Sequence, residues 1–236
     1  MVGLIGCGCC NGGGGGGDYC TTDFDLTIDD DFSPDFDPRW DAVDGLVCVA
    51  GAAQCNTVTP SVFGATSVGY AANQMKKETL AGKIEVTVKI VNWPASNPFG
   101  TFQPYNPSVT LYGLTFGFDY YIRVAAVNNA GVNRYTFGRP GVNNQIFTAI
   151  LPNIPQAGDV FGFRCLDFFV WDAILGTVKM TTVEVLLNGA VIFSEAGTLV
   201  LSNPCGFWVE TRIRQPAINL PNAMILRIDD FAAVAQ

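Results

Sequence analysis

Across residues 83–91 the chain alternates strictly: Ile84, Val86, Val88 and Ile90 are apolar, while Lys83, Glu85, Thr87 and Lys89 are polar or charged. A period of two belongs to an extended strand with one face buried and the other in water. Amphipathic helical runs are nearly absent. Residues 111–118 and 120–127 read as a strand pair joined near Asp119. Residues 182–187 and 190–194 flank Asn188-Gly189, a two-residue hairpin signal, because both central residues tolerate positive φ. Residues 207–213 and 223–231 supply further strands. Short strands punctuated by Pro, Gly and Asn predict an all-β chain that closes as a sandwich or barrel.

The 236 residues suffice for one such domain and an extension. Residues 1–22 are read as a separate Gly/Cys-rich arm or tether, and residues 23–236 as the β domain. The glycine run at 12–17 carries maximal backbone entropy and no side chains to bury, so it cannot contribute a core. Residues 1–6 are too short for a secretory apolar region, and Leu4-Ile5-Gly6-Cys7, although shaped like a lipoprotein cleavage box, is read as uncleaved.

Hydrophobic residues make up 49% of the chain and charged ones 14%, which is apolar for a water-soluble domain. No stretch reaches the roughly 20 apolar residues of a membrane-spanning helix; residues 196–209 are interrupted by Ser202, Asn203 and Pro204. No membrane partner is expected, and the apolar excess fits either a well-filled core or burial against neighbouring subunits. The formal net charge of −8, with basic residues scattered along the sequence, argues against nucleic acid. The chain has no histidine, which excludes Ser-His-Asp and Cys-His catalysis and imidazole-ligated zinc.

Several segments, in order, resemble the laminin-G-like branch of the concanavalin A-like lectin and glucanase jelly rolls. Asp30-Asp31-Phe32-Ser33, followed by Pro38-Arg39-Trp40, is similar to the opening strand of that family, where an acidic pair and a Phe lead to a Trp. Leu80-Ala81-Gly82-Lys83-Ile84-Glu85-Val86 resembles an early strand, and Asp159-Val160-Phe161-Gly162-Phe163 the turn into a central one. Val185-Leu186-Leu187-Asn188-Gly189-Ala190-Val191 is similar to the family's hairpin, and Ile228-Asp229-Asp230-Phe231 to its last strand, which returns beside the first. The likeness covers roughly residues 27–236. It implies a two-sheet antiparallel jelly-roll sandwich, a concave face that often holds glycans, and in some members calcium near the terminal strands.

Glucanases of that superfamily carry paired carboxylates on one strand. Retaining hydrolysis needs two carboxyl groups about 5 Å apart. The five glutamates here, Glu78, Glu85, Glu184, Glu195 and Glu210, include no pair at i, i+2 or i, i+4, so no catalytic residue is assigned and no enzymatic activity is expected. No cofactor is required on this reading; calcium is the candidate ion, which the resemblance places at Asp30, Asp229 and Asp230. The acidic run from Asp23 to Asp44 is no EF-hand, since Phe36 and Ala42 stand where Gly and Glu would be needed counting from Asp31. The alternative is a solvated acidic loop.

Cys7, Cys9, Cys10 and Cys20 are candidates for a disulfide set or a thiolate metal cluster, although Cys-x-Cys-Cys is not the spacing of the common zinc folds. Cys48 with Cys55, and Cys165 with Cys205, are candidate disulfides, which would place maturation in an oxidising compartment. Among aromatic residues, Trp93 and Tyr105, both read as exposed in a Pro/Asn-rich loop from Asn92 to Pro107, are the candidates for stacking on a sugar, with core packing as the alternative for each. The combined expectation is a non-enzymatic structural surface protein: a jelly-roll subunit of a larger assembly, such as a virion decoration or tail-associated protein or an extracellular filament. Its expected partners are other protein subunits and surface glycans, at the virion surface or outside the cell. A lectin-like carbohydrate-binding module is the alternative, with glycoside hydrolase behind it.

Overall fold

The computed structural model describes residues 28–38, 40, 42–56, 66–75, 82–94, 107–115, 121–129, 132–140, 146–168, 170–172, 177–202, 207–216 and 224–235. These contain sixteen strands, numbered β1–β16 in chain order, and no α-helix. Nine strands form the larger sheet. Its path runs β12 (Val170–Asp172), β13 (Thr177–Leu187), β11 (Val160–Phe168), β6 (Gly82–Asn92), β16 (Arg227–Ala235), β4 (Ala53–Cys55) and β3 (Leu46–Cys48). Beside this path β1 (Ile28–Asp30) pairs with β16, and β14 (Ala190–Ser202) with β13. The seven-stranded sheet runs β10 (Ile146–Leu151), β9 (Val132–Pro140), β8 (Tyr121–Asn129), β7 (Ser108–Thr115), β15 (Phe207–Pro216), β5 (Thr66–Met75) and β2 (Ala42–Asp44). The pairings are antiparallel, giving the two-sheet sandwich expected from the sequence.

The alternation that marked β6 is the inside and outside of the sandwich. Val86, Val88 and Ile90 are fully buried, while Glu85, Thr87 and Lys89 stay part-exposed. Phe161 and Phe163 of β11 and Val183 and Val185 of β13 extend the same layer. On β16 a register shift between Asp229 and Ala232, with Asp230 at φ +46°, lets Ile228 and Phe231 both be buried. This is the action of a β-bulge, which inserts an extra residue and re-aims the side chains beyond it. The opposing layer comes from Val109, Leu111, Ile122, Val124, Tyr135, Phe137, Val209 and Ile213. Rings meet across the interior: Tyr135 lies 5.3 Å from Phe161, and Phe137 lies 5.2 Å from Phe193. Each fully buried side chain of this size contributes roughly 1.5–3 kcal/mol.

The last strand does return beside the first, with Ile28 opposite Ala233 and Asp30 opposite Phe231. The Asn188-Gly189 turn adopts φ of +52° and +78°, the geometry its composition predicts. It is tied to a second turn. The Asn188 side chain donates to Asp159 Oδ1 at 3.0 Å and accepts the Val160 N–H at 2.9 Å. Asp159 Oδ2 in turn accepts the Tyr135 hydroxyl at 2.8 Å, so one carboxylate links a turn of the larger sheet to β9 of the other. Burial, reinforced by this bond, pushes the Tyr135 pKa well above the ordinary phenol value.

The strand pair read at 111–118 and 120–127 is observed as Ser108–Thr115 and Tyr121–Asn129, and the strand read from 223 begins at Arg227. The arm at 1–22, with Cys7, Cys9, Cys10 and Cys20, lies outside the described residues.

Candidate functional site

The outer face of the seven-stranded sheet is hollowed into a groove of about 430 Å³. Its makeup follows from the same alternation that builds the core. On β8, Ile122, Val124 and Ala126 point inward, which turns Arg123, Ala125 and Val127 outward. On β7, Val109 and Leu111 point inward, leaving Ser108, Thr110 and Tyr112 for the groove. On β9, Arg134 and Thr136 alternate with Tyr135 and Phe137, and on β15, Arg212 and Arg214 flank inward Ile213.

Antiparallel register converts these four strands into cross-sheet rows. One row runs Arg214, Ser108, Val127, Arg134, and the next Arg212, Thr110, Ala125, Thr136. A third runs Glu210, Tyr112, Arg123. The floor is therefore small, made of Ser108, Thr110, Ala125 and Thr136, while arginines rise at both ends of the rows. Thr110, Ala125 and Thr136 are buried although they lie on an outer face, which fits a floor sheltered between long side chains.

The charges are unevenly matched. Arg212 donates through Nε to Glu210 Oε1 at 2.6 Å and stacks over the Tyr112 ring, 5.0 Å from its centroid. Burial pushes the Glu210 carboxyl above its usual range, against the lowering effect of Arg212. The Nε atoms of Arg123 and Arg134 are buried and have no hydrogen-bond partner among the described residues. A buried donor without an acceptor costs about 1–3 kcal/mol, more when charged. Among the described residues that line the groove there is no carboxylate. Chemically the groove offers guanidinium forks, hydroxyls and one aromatic face, which suit the binding of oxygen-rich ligands.

The residues expected from sequence lie elsewhere. Trp93 is corrected from an exposed stacking residue to a core one: it is 7% exposed, belongs to the hydrophobic cluster, and its indole N–H donates to Asn133 Oδ1 at 3.2 Å. Tyr105 lies outside the described residues.

Asp30, Asp229 and Asp230 are not brought together as a ligand set. The buried Asp30 carboxylate accepts the N–H groups of Phe32 (2.8 Å) and Asp37 (3.0 Å) and the Trp40 indole N–H, which occupies it with turn architecture. Lys89 faces Asp230 at 2.8 Å and Asp229 at 3.8 Å, supplying a cation already. Among the described residues no three metal-ligating side chains cluster.

The disulfide expected between Cys48 and Cys55 is corrected too: both are thiols, as is Cys165, whose expected partner Cys205 lies outside the described residues. Leu46 pairs with Cys55 and Cys48 with Ala53, so the two cysteines sit diagonally. That geometry separates them by about 7–8 Å, beyond the reach of an S–S bond. Burial, helped by the charges of Asp35 and Asp30, pushes the Cys48 thiol up to about 12, and burial alone raises that of Cys165. Protonated thiols are poor nucleophiles and poor metal ligands.

Of the five glutamates, Glu85 and Glu184 do come into one row, on the outer face of the larger sheet, but Arg164 stands between them. Its guanidinium lies 2.6 Å from Glu184 and 3.6 Å from Glu85. The groove itself was missed because its arginines are dispersed in sequence, and only strand register assembles them.

No protein-family model matches the chain, and no curated protein matches it in sequence. It is similar in structure to an endo-1,3-beta-glucanase from Streptomyces sioyaensis, with 10% identity and a TM-score of 0.47 over 89% of each chain. A legume lectin-like domain from Entamoeba histolytica is similar at 12% identity and a TM-score of 0.48, over 90% of this chain and 97% of that one. A mixed linkage glucan GH16 protein from Bacteroides ovatus, in complex with a product, is similar at 11% identity and a TM-score of 0.49, over 89% and 99%. The chain's own topology carries the fold assignment: two antiparallel sheets, a common aromatic core, and the last strand laid beside the first.

Proposed function

We propose that this chain is a non-enzymatic, carbohydrate-binding jelly-roll module whose ligand lies in the groove of the seven-stranded sheet. The observation that supports this most is the lining: hydroxyls of Ser108, Thr110 and Thr136, the Tyr112 ring and four guanidiniums, over a floor of small side chains. Sugars are recognised by convergent polar donors beside an aromatic face. The non-enzymatic part draws on the described lining residues, which include no carboxylate, and on the engagement of neighbouring Glu210 with Arg212. Glycoside hydrolysis asks for two carboxyl groups across the scissile bond.

The test is a glycan array with the full chain, repeated with Ala125→Phe, which fills the floor without adding charge. Retention of oligosaccharides by the parent and its loss in the variant is the expected result. Equal retention by both would move the site elsewhere, and release of new reducing ends from a bound polysaccharide would end the non-enzymatic reading.

A second reading, that the chain is also a subunit of a larger assembly at a virion or extracellular surface, is favoured by apolar exposure along β9 and β10. Val132 is 57% exposed and Ile150 63%. Sedimentation velocity on the full chain and on a form lacking residues 1–22 checks it. A single monomeric species in both would count against assembly.

A further inference from the structure

We infer that the groove selects acidic oligosaccharides, carrying carboxylate or sulfate groups, over neutral ones. This rests on the reading that the groove binds carbohydrate and goes beyond it in naming the class of sugar.

The chain carries 13 basic residues against 21 acidic ones, yet four arginines converge on this groove and, among the described lining residues, no Asp or Glu joins them. Among the described residues only Arg212 has an acidic partner there, Glu210. The Nε atoms of Arg123 and Arg134 are buried without a partner among the described residues, while both side chains stay part-exposed in the groove. A neutral hydroxyl can accept from one guanidinium N–H. An oxyanion accepts from several at once and also answers the charge, which is why arginine forks favour carboxylate and sulfate-like groups.

The placement argues for an extended ligand rather than a single ion. Arg212 and Arg214 stand on β15, Arg123 on β8 and Arg134 on β9. Strands spaced about 4.8 Å apart put the two banks roughly 10–14 Å from one another. The floor between them offers Thr110, Ala125 and Thr136, which can meet sugar hydroxyls but supply no charge. Anionic groups on separated residues of one oligosaccharide can engage both banks, whereas a free anion engages one. Single-stranded nucleic acid is disfavoured, since it calls for a series of stacking rings and among the described lining residues the groove has one, Tyr112.

The experiment is isothermal titration calorimetry of the full chain with four probes of equal length or class: a neutral gluco-tetrasaccharide, a uronic-acid tetrasaccharide, a sulfated tetrasaccharide, and single-stranded DNA. Inorganic sulfate serves as the free-anion arm. At least one acidic tetrasaccharide is expected to bind about tenfold or more tightly than the neutral one, the scale of one charge-assisted hydrogen bond. The uronate and sulfate arms tell which oxyanion is preferred. Arg123→Gln combined with Arg134→Gln should remove that advantage, with circular dichroism and a cooperative melt checking that the pair remains folded. Should that pair disturb the fold, Arg214→Gln, at an exposed position, is expected to reduce the advantage instead. Neutral and acidic sugars binding alike, with no effect of these substitutions, would overturn the inference and leave the carbohydrate reading standing. Failure of every sugar to bind would remove both. DNA or inorganic sulfate binding as tightly as the acidic tetrasaccharides would show that the groove recognises charge without recognising sugar.

Discussion

At the scale of single residues, two carboxylates illustrate how position decides the role of one chemical group. Asp30 is 4% exposed and accepts from three donors, two backbone N–H groups and the Trp40 indole, whose ring packs 4.8 Å from Phe231. Asp30→Ala strands those donors in the interior, and we expect a loss of about 3 kcal/mol by chemical denaturation. Asp230→Asn, which tolerates the same positive φ and removes only the charge of an exposed partner of Lys89, should leave the midpoint almost unmoved. Similar losses in the two variants would refute the structural role assigned to Asp30. Glu210 behaves differently, because burial raises its pKa from the ordinary 4.5. The native state then holds a proton more tightly than the unfolded chain does. The stability linked to this group is full below the ordinary glutamate value and is lost as pH rises through the native one. Glu210→Gln has no such loss, so its stability relative to the parent should increase between pH 4.5 and neutrality. A difference that stays flat with pH would contradict the shift.

At the scale of strands, β6 and β11 leave no room for a side chain at Gly162. A Cβ built on Gly162 would lie 1.9 Å from the Val86 carbonyl oxygen and 2.9 Å from Thr87 Cγ2. Gly162→Ala must therefore push two central strands apart, at a cost of roughly 2–4 kcal/mol in the melting transition. Adding Thr87→Ala should not rescue it, because the nearest obstacle is backbone; a rescue would mean the side chain was the true obstacle. These central strands were the most legible part of the sequence. One-sided burial imprints alternation on residues 83–91, and a positive-φ turn imprints Asn188-Gly189. Both are local consequences of the fold, so both can be read locally. The groove has no local imprint. Tyr112 meets Arg123 through the β7–β8 register, and Val127 meets Arg134 through that of β8–β9. Each arginine alone looks like an ordinary outward residue of a half-buried strand. Trp93 misled for the converse reason: its polar, Pro-rich neighbours suggested a surface loop, while the ring itself fills the core beneath.

At the scale of the whole molecule, a formal charge of −8 surrounds a groove lined by guanidiniums. The two fields act over different ranges. An acidic ligand approaching from a distance meets the net negative charge, whereas one seated in the groove meets arginines at contact distance. Salt separates these effects, because the Debye length shrinks from about 30 Å at 0.01 M to about 8 Å at 0.15 M. The distant repulsion is screened over that interval, while contact pairs are screened much less. We therefore expect the association rate of an acidic oligosaccharide to rise between these salt concentrations, the reverse of a protein whose basic surface steers its ligand. At 1 M salt, where the Debye length is about 3 Å, the contact pairs weaken too, and the dissociation rate should climb. Surface plasmon resonance across this series separates the two rates. An association rate that falls steadily from the lowest salt would mean that the groove's field reaches beyond the acidic surroundings, and that long-range attraction rather than local complementarity gathers the ligand.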